Sequence, residues 1–418
     1  MVDGKLSKHR FEFSWNLCAI LLISGGVASI FQTGGGRSEG NFIFQAVMVL
    51  FTFPCIYIFL SKGKNVVLNS LANALPIVSI IVYCALSSLW SQEPLLTLRR
   101  TIALLIGFSY ALYLVNRYSA RQLIQLIFSC LFYLLIFTFI AVMFFSGVHQ
   151  GDEHEGAWQG FTGHKNSLGR YMAAGVIISF GLYTYYGRRR YIFIALVFAL
   201  VLILSTSKTS LASCLIAIGF YFLSVYLITG TLFFGKNRHP VKLRVMIITV
   251  FVSIVTFIFY LILPDVLELL NRDYTFSGRI KIWRYAMLIS GDFNLFGAGY
   301  RTFWIDSVTW DYFYYNPYWG GSKVTGNGHS GYVDVFVELG YVGVGLLVWF
   351  IYSYIKGLVR GYIKSTIITY ISGPLLVFLI AYNLFETVFL SPRMDLLWLI
   401  LLLFYLSTSH TNNGQLDK

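Results

Sequence analysis

Apolar segments of about 20 residues recur along almost the whole chain and leave little room for a soluble core. A helix that crosses a bilayer needs roughly 20 apolar residues, and the segments that approach this length lie near 14–32, 42–61, 69–90, 101–116, 123–147, 168–186, 191–206, 209–233, 244–263, 331–355, 366–388 and 394–409. Charged residues make up only 12% of the chain, against about 25% in soluble domains. The sequence therefore predicts an all-α polytopic membrane protein, with residues 1–418 forming a single integral membrane domain.

Lysine and arginine residues alternate between the two sides of this predicted bundle. With the N-terminus in the cytoplasm, the inner segments collect cations, and the five inner loops between spans contain no Asp or Glu. Because cations favour the cytoplasmic side, we predict about 12 transmembrane helices with both termini inside. The segment 264–330, before the tenth span, is then a large external loop. The net charge of +13 is dispersed over short loops, which argues against a nucleic-acid partner.

One part of this external loop is suited to an amphipathic helix. Residues 277–290 can form it, and Gly291 can end it. Arg279 and Trp283 are four residues apart and therefore share a face. Such a helix could lie on the outer leaflet, or it could present Arg279 and Trp283 to a substrate.

Ten aromatic residues lie between Tyr300 and Trp319. An aromatic belt anchors helix ends in a membrane, but it does not need so many rings in one loop. Ring faces stack on the C–H faces of sugars. We therefore expect Tyr300, Trp304 and Trp310, together with Trp283, to bind a glycan.

His329 follows the aromatic run and lies just before the tenth predicted span. A histidine can accept a proton from a hydroxyl near neutral pH, which makes His329 the candidate general base. The loop with His149 and Asp152 could bind a metal weakly, but no spacing fixes a geometry. A solvated acidic loop is the favoured interpretation, and we predict neither a metal nor another cofactor.

The external ends of other spans carry candidate anion ligands. His164, Lys165 and Asn166 lead into the sixth span, and a helix N-terminus beside such residues is a ready anion site. Asn166 or Ser167 could also cap that helix. Lys208 lies among hydroxyl residues, either as a turn residue that reaches the interface or as a phosphate ligand.

Arg99 and Arg100 precede the fourth span. Cations at this level can anchor a helix to lipid phosphates. Alternatively, the two arginines can contact an anionic lipid substrate. The sequence leaves both interpretations open.

These residues belong to a dispersed set of motifs over residues 88–345, namely Trp90-Ser91…Pro94…Arg99-Arg100, His164-Lys165-Asn166…Gly169, Ser205-Thr-Ser-Lys208 and Gly-Arg279…Trp283…Gly297-Ala-Gly299…His329, with Gly340 after ten intervening residues and then Gly343. The set resembles the signature of the O-antigen ligase and Wzy-type polysaccharide polymerase superfamily. The large external loop before the last spans resembles that superfamily as well.

The resemblance implies a metal-independent glycosyltransferase that acts at the periplasmic face of a bacterial inner membrane. His329 matches the position that takes the proton from the acceptor hydroxyl, and Arg279 matches an arginine that holds the donor, a glycan on undecaprenyl diphosphate. The expected diphosphate ligands are Arg279, Lys208, Arg99, Arg100, Lys165 and Asn166. The expected acceptor or glycan contacts are His164, Trp283, Tyr300, Trp304 and Trp310. Direct attack by the acceptor would invert the anomeric carbon.

Three functions stay open at this point. The first is a polymerase that joins lipid-linked repeat units, a class that commonly works with a chain-length regulator. The second is a ligase that transfers finished glycan to lipid A–core or another acceptor. The third is a lipid-linked oligosaccharide flippase, although transporters place polar sites near mid-membrane. Lys208 stands where ligases often have arginine, which favours the polymerase.

Overall fold

The computed structural model describes residues 2–23, 42–145, 148, 155–229, 279–305, 327–362, 367–392 and 394–410. The predicted span 244–263, the acidic loop residue Asp152 and Trp310 lie outside these residues. Throughout the described part of the chain the regular structure is helical. This confirms the all-α prediction.

The helices follow the apolar segments of the sequence closely. They are α1 Val2–Ile23, α2 Phe42–Leu60, α3 Lys64–Asn73, α4 Leu75–Leu86, α5 Pro94–Arg117, α6 Ala120–Phe144, α7 Lys165–Tyr186, α8 Arg190–Leu204, α9 Lys208–Thr229, α10 Arg279–Ile289, α11 Gly331–Tyr362, α12 Ile367–Tyr382 and α13 Leu396–His410. The apolar run 69–90 is divided between α3 and α4, because the chain breaks between them at Ala74. Helix α10 confirms the helix predicted within residues 277–290.

The number of membrane crossings is not confirmed at twelve. Within the described residues, four helical segments are long and apolar enough to cross a membrane, namely Pro94–Arg117, Ala120–Phe144, Lys208–Tyr226 and Gly331–Arg360. A fifth is added if α2 and α3, which are bent by 109°, count as one span. Helices α8 and α13 have 15 residues each and rise about 22 Å, less than the roughly 30 Å of a hydrocarbon core.

Some helices expose an apolar stripe, as expected for a protein surrounded by lipid. On α8, Phe193, Leu196, Leu200 and Ile203 are between 52% and 69% exposed. Their spacing of three and four residues places them on one helix face. Phe198, on the opposite face, is fully buried. This pattern supports a multi-pass membrane protein.

Helix α13 forms the centre of the bundle. Each residue from 396 to 406 is at most 2% exposed, and the helix packs against α3, α5, α6, α7, α11 and α12. A helix that is apolar all round has to be covered on every side. Its neighbours are therefore held around one buried axis.

The cations predicted to face the cytoplasm gather at one end of the bundle. The Lys62 amine donates to the Asn116 carbonyl over 2.6 Å, and Arg121 donates to the Tyr185 hydroxyl over 2.9 Å. Asn116 lies near the C-terminal end of α5. The N-terminal end of α5, about 36 Å away along a helix of 24 residues, lies at the opposite face of the protein.

Helix α11 is broken at Gly340, where φ is 64° and ψ is −166°. The segment 294–299 crosses this break and satisfies the main-chain groups that the break exposes. Its hydrogen bonds are Ala298 N–H to Val337 O (3.0 Å), Gly299 N–H to Glu338 O (2.9 Å), Tyr341 N–H to Asn294 O (2.9 Å) and Val342 N–H to Leu295 O (3.2 Å). The glycine motifs around 297–299 and 340 thus form one interlocked backbone structure.

We expect Gly297→Ala to destabilise the protein by about 2–4 kcal/mol, because it combines a left-handed backbone with overpacking. Gly297 has φ 76°, and a Cβ there would lie 2.3 Å from the backbone of Glu338. The measurement is thermal unfolding in detergent. Gly345→Ala, in the same helix α11 with no atom within 4 Å of its Cβ, is the matched control and should not lower stability. Equal stability of both variants would contradict the interlock.

Candidate active site

Glu386 lies at the centre of a polar cluster at the end of the bundle opposite the inner cations. Its Oε1 accepts hydrogen bonds from Arg279 Nη2 over 2.9 Å and from Asn166 Nδ2 over 2.8 Å. Its Oε2 lies 3.8 Å from Nδ1 of His329. We call these four residues the Glu386 cluster. The structure therefore brings together three residues that the sequence selected separately, around a fourth that it did not.

Asn166 joins the starts of helices α7 and α9. His164, rather than the predicted Asn166 or Ser167, caps α7, because its Nδ1 accepts the Asn166 N–H over 3.2 Å. The Asn166 side chain instead reaches across, and its Oδ1 accepts the Ser207 hydroxyl over 2.9 Å. Helix α9 begins at the next residue, Lys208, whose side chain is exposed.

Helix α10 and the N-terminus of α11 complete the surroundings. Arg279 is the first described residue of α10, and its guanidinium donates to Glu386 and to the Phe385 carbonyl. Helix α11 begins at Gly331, whose N–H lies within reach of the carbonyls of Asn383 (2.9 Å) and Glu386 (3.2 Å). Each helix N-terminus carries a partial positive charge, so the N-termini of α7, α9 and α11 make this end of the bundle favourable for an anion.

His329 has a left-handed backbone with φ 49°, a conformation that costs about 1–3 kcal/mol in a non-glycine residue. The preceding residue is held on both sides. Gly328 O accepts the Trp283 indole N–H over 2.8 Å, and Gly328 N–H donates to Asp334 Oδ1 over 2.8 Å. These contacts fix His329 in place despite its strained backbone.

The predicted glycan-binding rings divide into two groups. Trp283 is half-buried and packs parallel to Phe385, with ring centroids 6.3 Å apart. Tyr300 and Trp304 are 0% and 3% exposed, and their polar atoms donate to Leu390 O over 2.5 Å and to Asp334 Oδ1 over 2.9 Å. A sugar has no access to a buried ring face. We therefore correct the prediction for Tyr300 and Trp304, which instead hold neighbouring segments together.

The two arginines of α5 differ in their surroundings. Arg99 is exposed, whereas Arg100 is 7% exposed and its guanidinium donates to the Arg301 carbonyl. Arg301 in turn lies 3.9 Å from the Asp334 carboxylate. Arg100 thus contributes to the network that supports the His329 loop. Lys165, the first residue of α7, is half-buried.

The segment that carries Glu386 is held firmly at both ends. Asn383 is fully buried, and its Oδ1 accepts the N–H groups of Val388 and Phe389 over 2.9 and 3.0 Å. At the other end, Asp395 pairs with Arg170 of α7 over 2.6 Å. The turn between α12 and α13 is therefore a fixed platform for Glu386.

Glu386 and Asp395 were not among the site residues predicted from the sequence. Glu386 lies in the apolar run 366–388 and Asp395 in the run 394–409. An acidic residue within such a run is costly unless it has a polar partner. That isolated charge is the signal by which both residues could have been found.

The electrostatics of the cluster favour ionised Glu386. Burial acts to raise the pKa of this carboxyl group, but the neighbouring His329 and Arg279 outweigh burial. The pKa of Glu386 therefore lies below its ordinary value of 4.5. A carboxylate with a lowered pKa stabilises the fold above the unfolded-state pKa and loses that contribution as pH falls through its folded-state pKa.

We expect the melting temperature of Glu386→Gln to lie below that of the wild type at pH 7. The difference should shrink as the pH falls below about 4.5, because the glutamine cannot titrate. Thermal unfolding of both proteins in the same detergent from pH 7 to pH 4 measures this. A difference that does not shrink below about pH 4.5 would contradict an ionised Glu386.

Comparison with known proteins gives two matches that agree with this geometry. Residues 193–350 match the family model described as O-Antigen ligase. This match spans α8 to the middle of α11 and includes Lys208, Arg279 and His329, whereas Asn166 and Glu386 lie outside it.

The second match is the exopolysaccharide production protein ExoQ of Rhizobium meliloti (strain 1021). It is 25% identical over 297 residues, which are 67% of this chain and 64% of the relative. The alignment thus leaves more than a third of that relative uncovered. Both matches agree with the membrane character and the polysaccharide-related family predicted from the sequence.

Proposed function

We propose that this protein is a polysaccharide polymerase. It transfers a glycan from undecaprenyl diphosphate to an acceptor sugar hydroxyl of another lipid-linked repeat unit, at the external face of the bacterial inner membrane. The observation that carries the proposal is the Glu386 cluster, in which a histidine and an arginine meet beside the N-termini of α7, α9 and α11. The similarity to an exopolysaccharide production protein supports a polysaccharide as the product.

The donor diphosphate suits the positive end of the bundle. Arg279 is held by two acceptors, so its charge is already oriented before a donor arrives. Lys208 and Lys165 stand at the first residues of α9 and α7, where their charges add to those of the helix N-termini. Fixed positive charge stabilises the diphosphate as it leaves, so the reaction needs no metal ion in principle.

The transfer step requires a base for the acceptor hydroxyl. The hydroxyl oxygen attacks the anomeric carbon, and the bond from that carbon to the phosphate oxygen breaks. His329 takes the hydroxyl proton, while the electron pair of the broken bond leaves with undecaprenyl diphosphate. Attack from the side opposite the leaving group inverts the anomeric configuration.

The second candidate is a ligase, which uses the same donor and passes finished glycan to lipid A–core or another acceptor. The family description O-Antigen ligase favours it. Lys208, in place of the arginine often found in ligases, favours the polymerase, because lysine binds phosphate as a point charge without a bidentate fork.

Purified protein in detergent, incubated with undecaprenyl-diphosphate-linked repeat units and a chelator, tests the proposal. We expect a ladder of lengthening glycans on a gel, each with an inverted linkage. Product that appears only after lipid A–core is added would favour the ligase. No transfer to either acceptor, or retention of the anomeric configuration, would contradict the proposed reaction.

A further inference from the structure

We propose that Glu386 is a positioning residue that orients the His329 imidazole and fixes which of its nitrogens takes the acceptor proton. This inference rests on the proposed function. Glu386 lies outside the residues that match the family model, and neither comparison assigns it a role.

The two oxygens of Glu386 have separate tasks. Oε1 is occupied by Arg279 and Asn166, at 2.9 and 2.8 Å. Oε2 is the oxygen nearest to His329, at 3.8 Å from Nδ1. Because Oε1 is tied to two helices, the carboxylate plane is fixed, and Oε2 stays directed at the imidazole.

The imidazole of His329 has an unpaired nitrogen on the side that faces Oε2 of Glu386. Its Nδ1 is buried, and no polar atom of the described residues forms a hydrogen bond with it. A buried polar atom without a hydrogen-bond partner is costly. An approach of about 0.8 Å would bring Nδ1 within hydrogen-bond distance of Oε2. The structure thus holds an unsatisfied imidazole nitrogen and a fixed acceptor 3.8 Å apart.

This contact determines the tautomer of His329. A carboxylate can only accept, so Nδ1 has to carry the proton, and Nε2 is left as the nitrogen with a lone pair. The side chain of His329 is 27% exposed although Nδ1 is buried. The exposed part of the ring therefore excludes Nδ1 and leaves Nε2 as the nitrogen that can meet an acceptor hydroxyl. Glu386 also stabilises the imidazolium that forms on proton transfer.

Glu386→Gln separates this role from a merely structural one. The glutamine amide can keep its oxygen on Arg279 and Asn166, but its NH₂ group then faces Nδ1. An NH₂ donor favours the tautomer with the proton on Nε2, which cannot act as a base. We expect kcat for glycan transfer to fall by about 10²–10⁴-fold, with the donor KM within about threefold of the wild type because Arg279 keeps its acceptor.

Three comparisons complete the experiment. Glu386→Asp keeps an acceptor and should recover part of kcat. Glu12→Gln removes another partly buried acid that is paired with an arginine, Arg117, at the opposite end of the bundle, at an exposure of 18% against 14%. It should lower stability while kcat per folded molecule stays within about threefold. In a His329→Asn background, adding Glu386→Gln should have no further effect on the residual rate, because residues that act through one another are not additive.

The outcomes distinguish the two proposals. If the wild-type protein transfers no glycan, the proposed function fails and this inference falls with it. If the wild type is active and Glu386→Gln keeps kcat within threefold, or raises only the donor KM, the positioning role of Glu386 is wrong and the function stands. A further large loss in the His329→Asn background would also overturn the inference, since Glu386 would then act independently of His329.

Discussion

We expect glycan transfer to fall by about 10²–10⁴-fold when His329 is replaced by alanine or asparagine, the magnitude that general-base catalysis contributes. Neither replacement can take a proton from a hydroxyl at neutral pH. The loss should appear in kcat, with the donor KM little changed, because the residues proposed to hold the diphosphate are others. Product formation from lipid-linked repeat units, normalised to folded protein, is the measurement.

The two replacements of His329 control for its strained backbone. The left-handed φ of 49° suits asparagine better than alanine. The imidazole Nδ1 makes no hydrogen bond with the described residues, so removing the ring breaks none there. We therefore expect His329→Asn to melt close to the wild type although it loses as much transfer rate as His329→Ala. Full activity in His329→Asn would exclude His329 as the base.

The second large effect is expected at Arg279, whose removal should weaken both donor use and stability. In Arg279→Gln the donor loses a charged partner, so the donor KM should rise at least about tenfold. Removing one partner of a buried ion pair also costs about 3–5 kcal/mol, and the two side chains of this pair are each only 14% exposed. Donor titration and thermal unfolding measure the two effects separately.

Two further variants separate binding from stability. Arg279→Gln combined with Glu386→Gln leaves no unpaired charge, so it should regain most of the lost stability while donor use stays poor. Arg279→Lys keeps the charge but cannot hold both Phe385 O and Glu386 with one planar group, and it should fall between the wild type and Arg279→Gln. A normal donor KM in Arg279→Gln would show that Arg279 only anchors α10.

Much of the helical architecture could be predicted because most apolar runs in the sequence coincide with a helix. The segments 42–61 and 123–147 coincide with α2 and α6 to within a few residues. The number of crossings could not be predicted in the same way, since an apolar run also describes a helix buried by other helices. Helix α13 is such a case, because its apolar residues face protein on all sides.

The site was predictable only where residue type carries its own chemistry. His329, Arg279 and Asn166 were selected one by one, and they converge on Glu386. Glu386 was missed because it is about 220 residues from Asn166, and nothing local marks the contact. Trp304 and Tyr300 were predicted to bind a glycan, but both rings are buried. The sequence shows that aromatic rings are present in this segment and does not show whether their faces are exposed.

The position of a bound donor tests the central claim most directly. We would determine an experimental structure of the protein with undecaprenyl diphosphate, or with a repeat unit attached to it, in a lipid nanodisc. We expect phosphate oxygens within about 4 Å of the Arg279 guanidinium, beside the starts of α7 and α9, with the anomeric carbon on the side of His329. A diphosphate bound elsewhere, with Arg279 still paired only to Glu386 and Phe385, would contradict the assignment of this cluster as the active site.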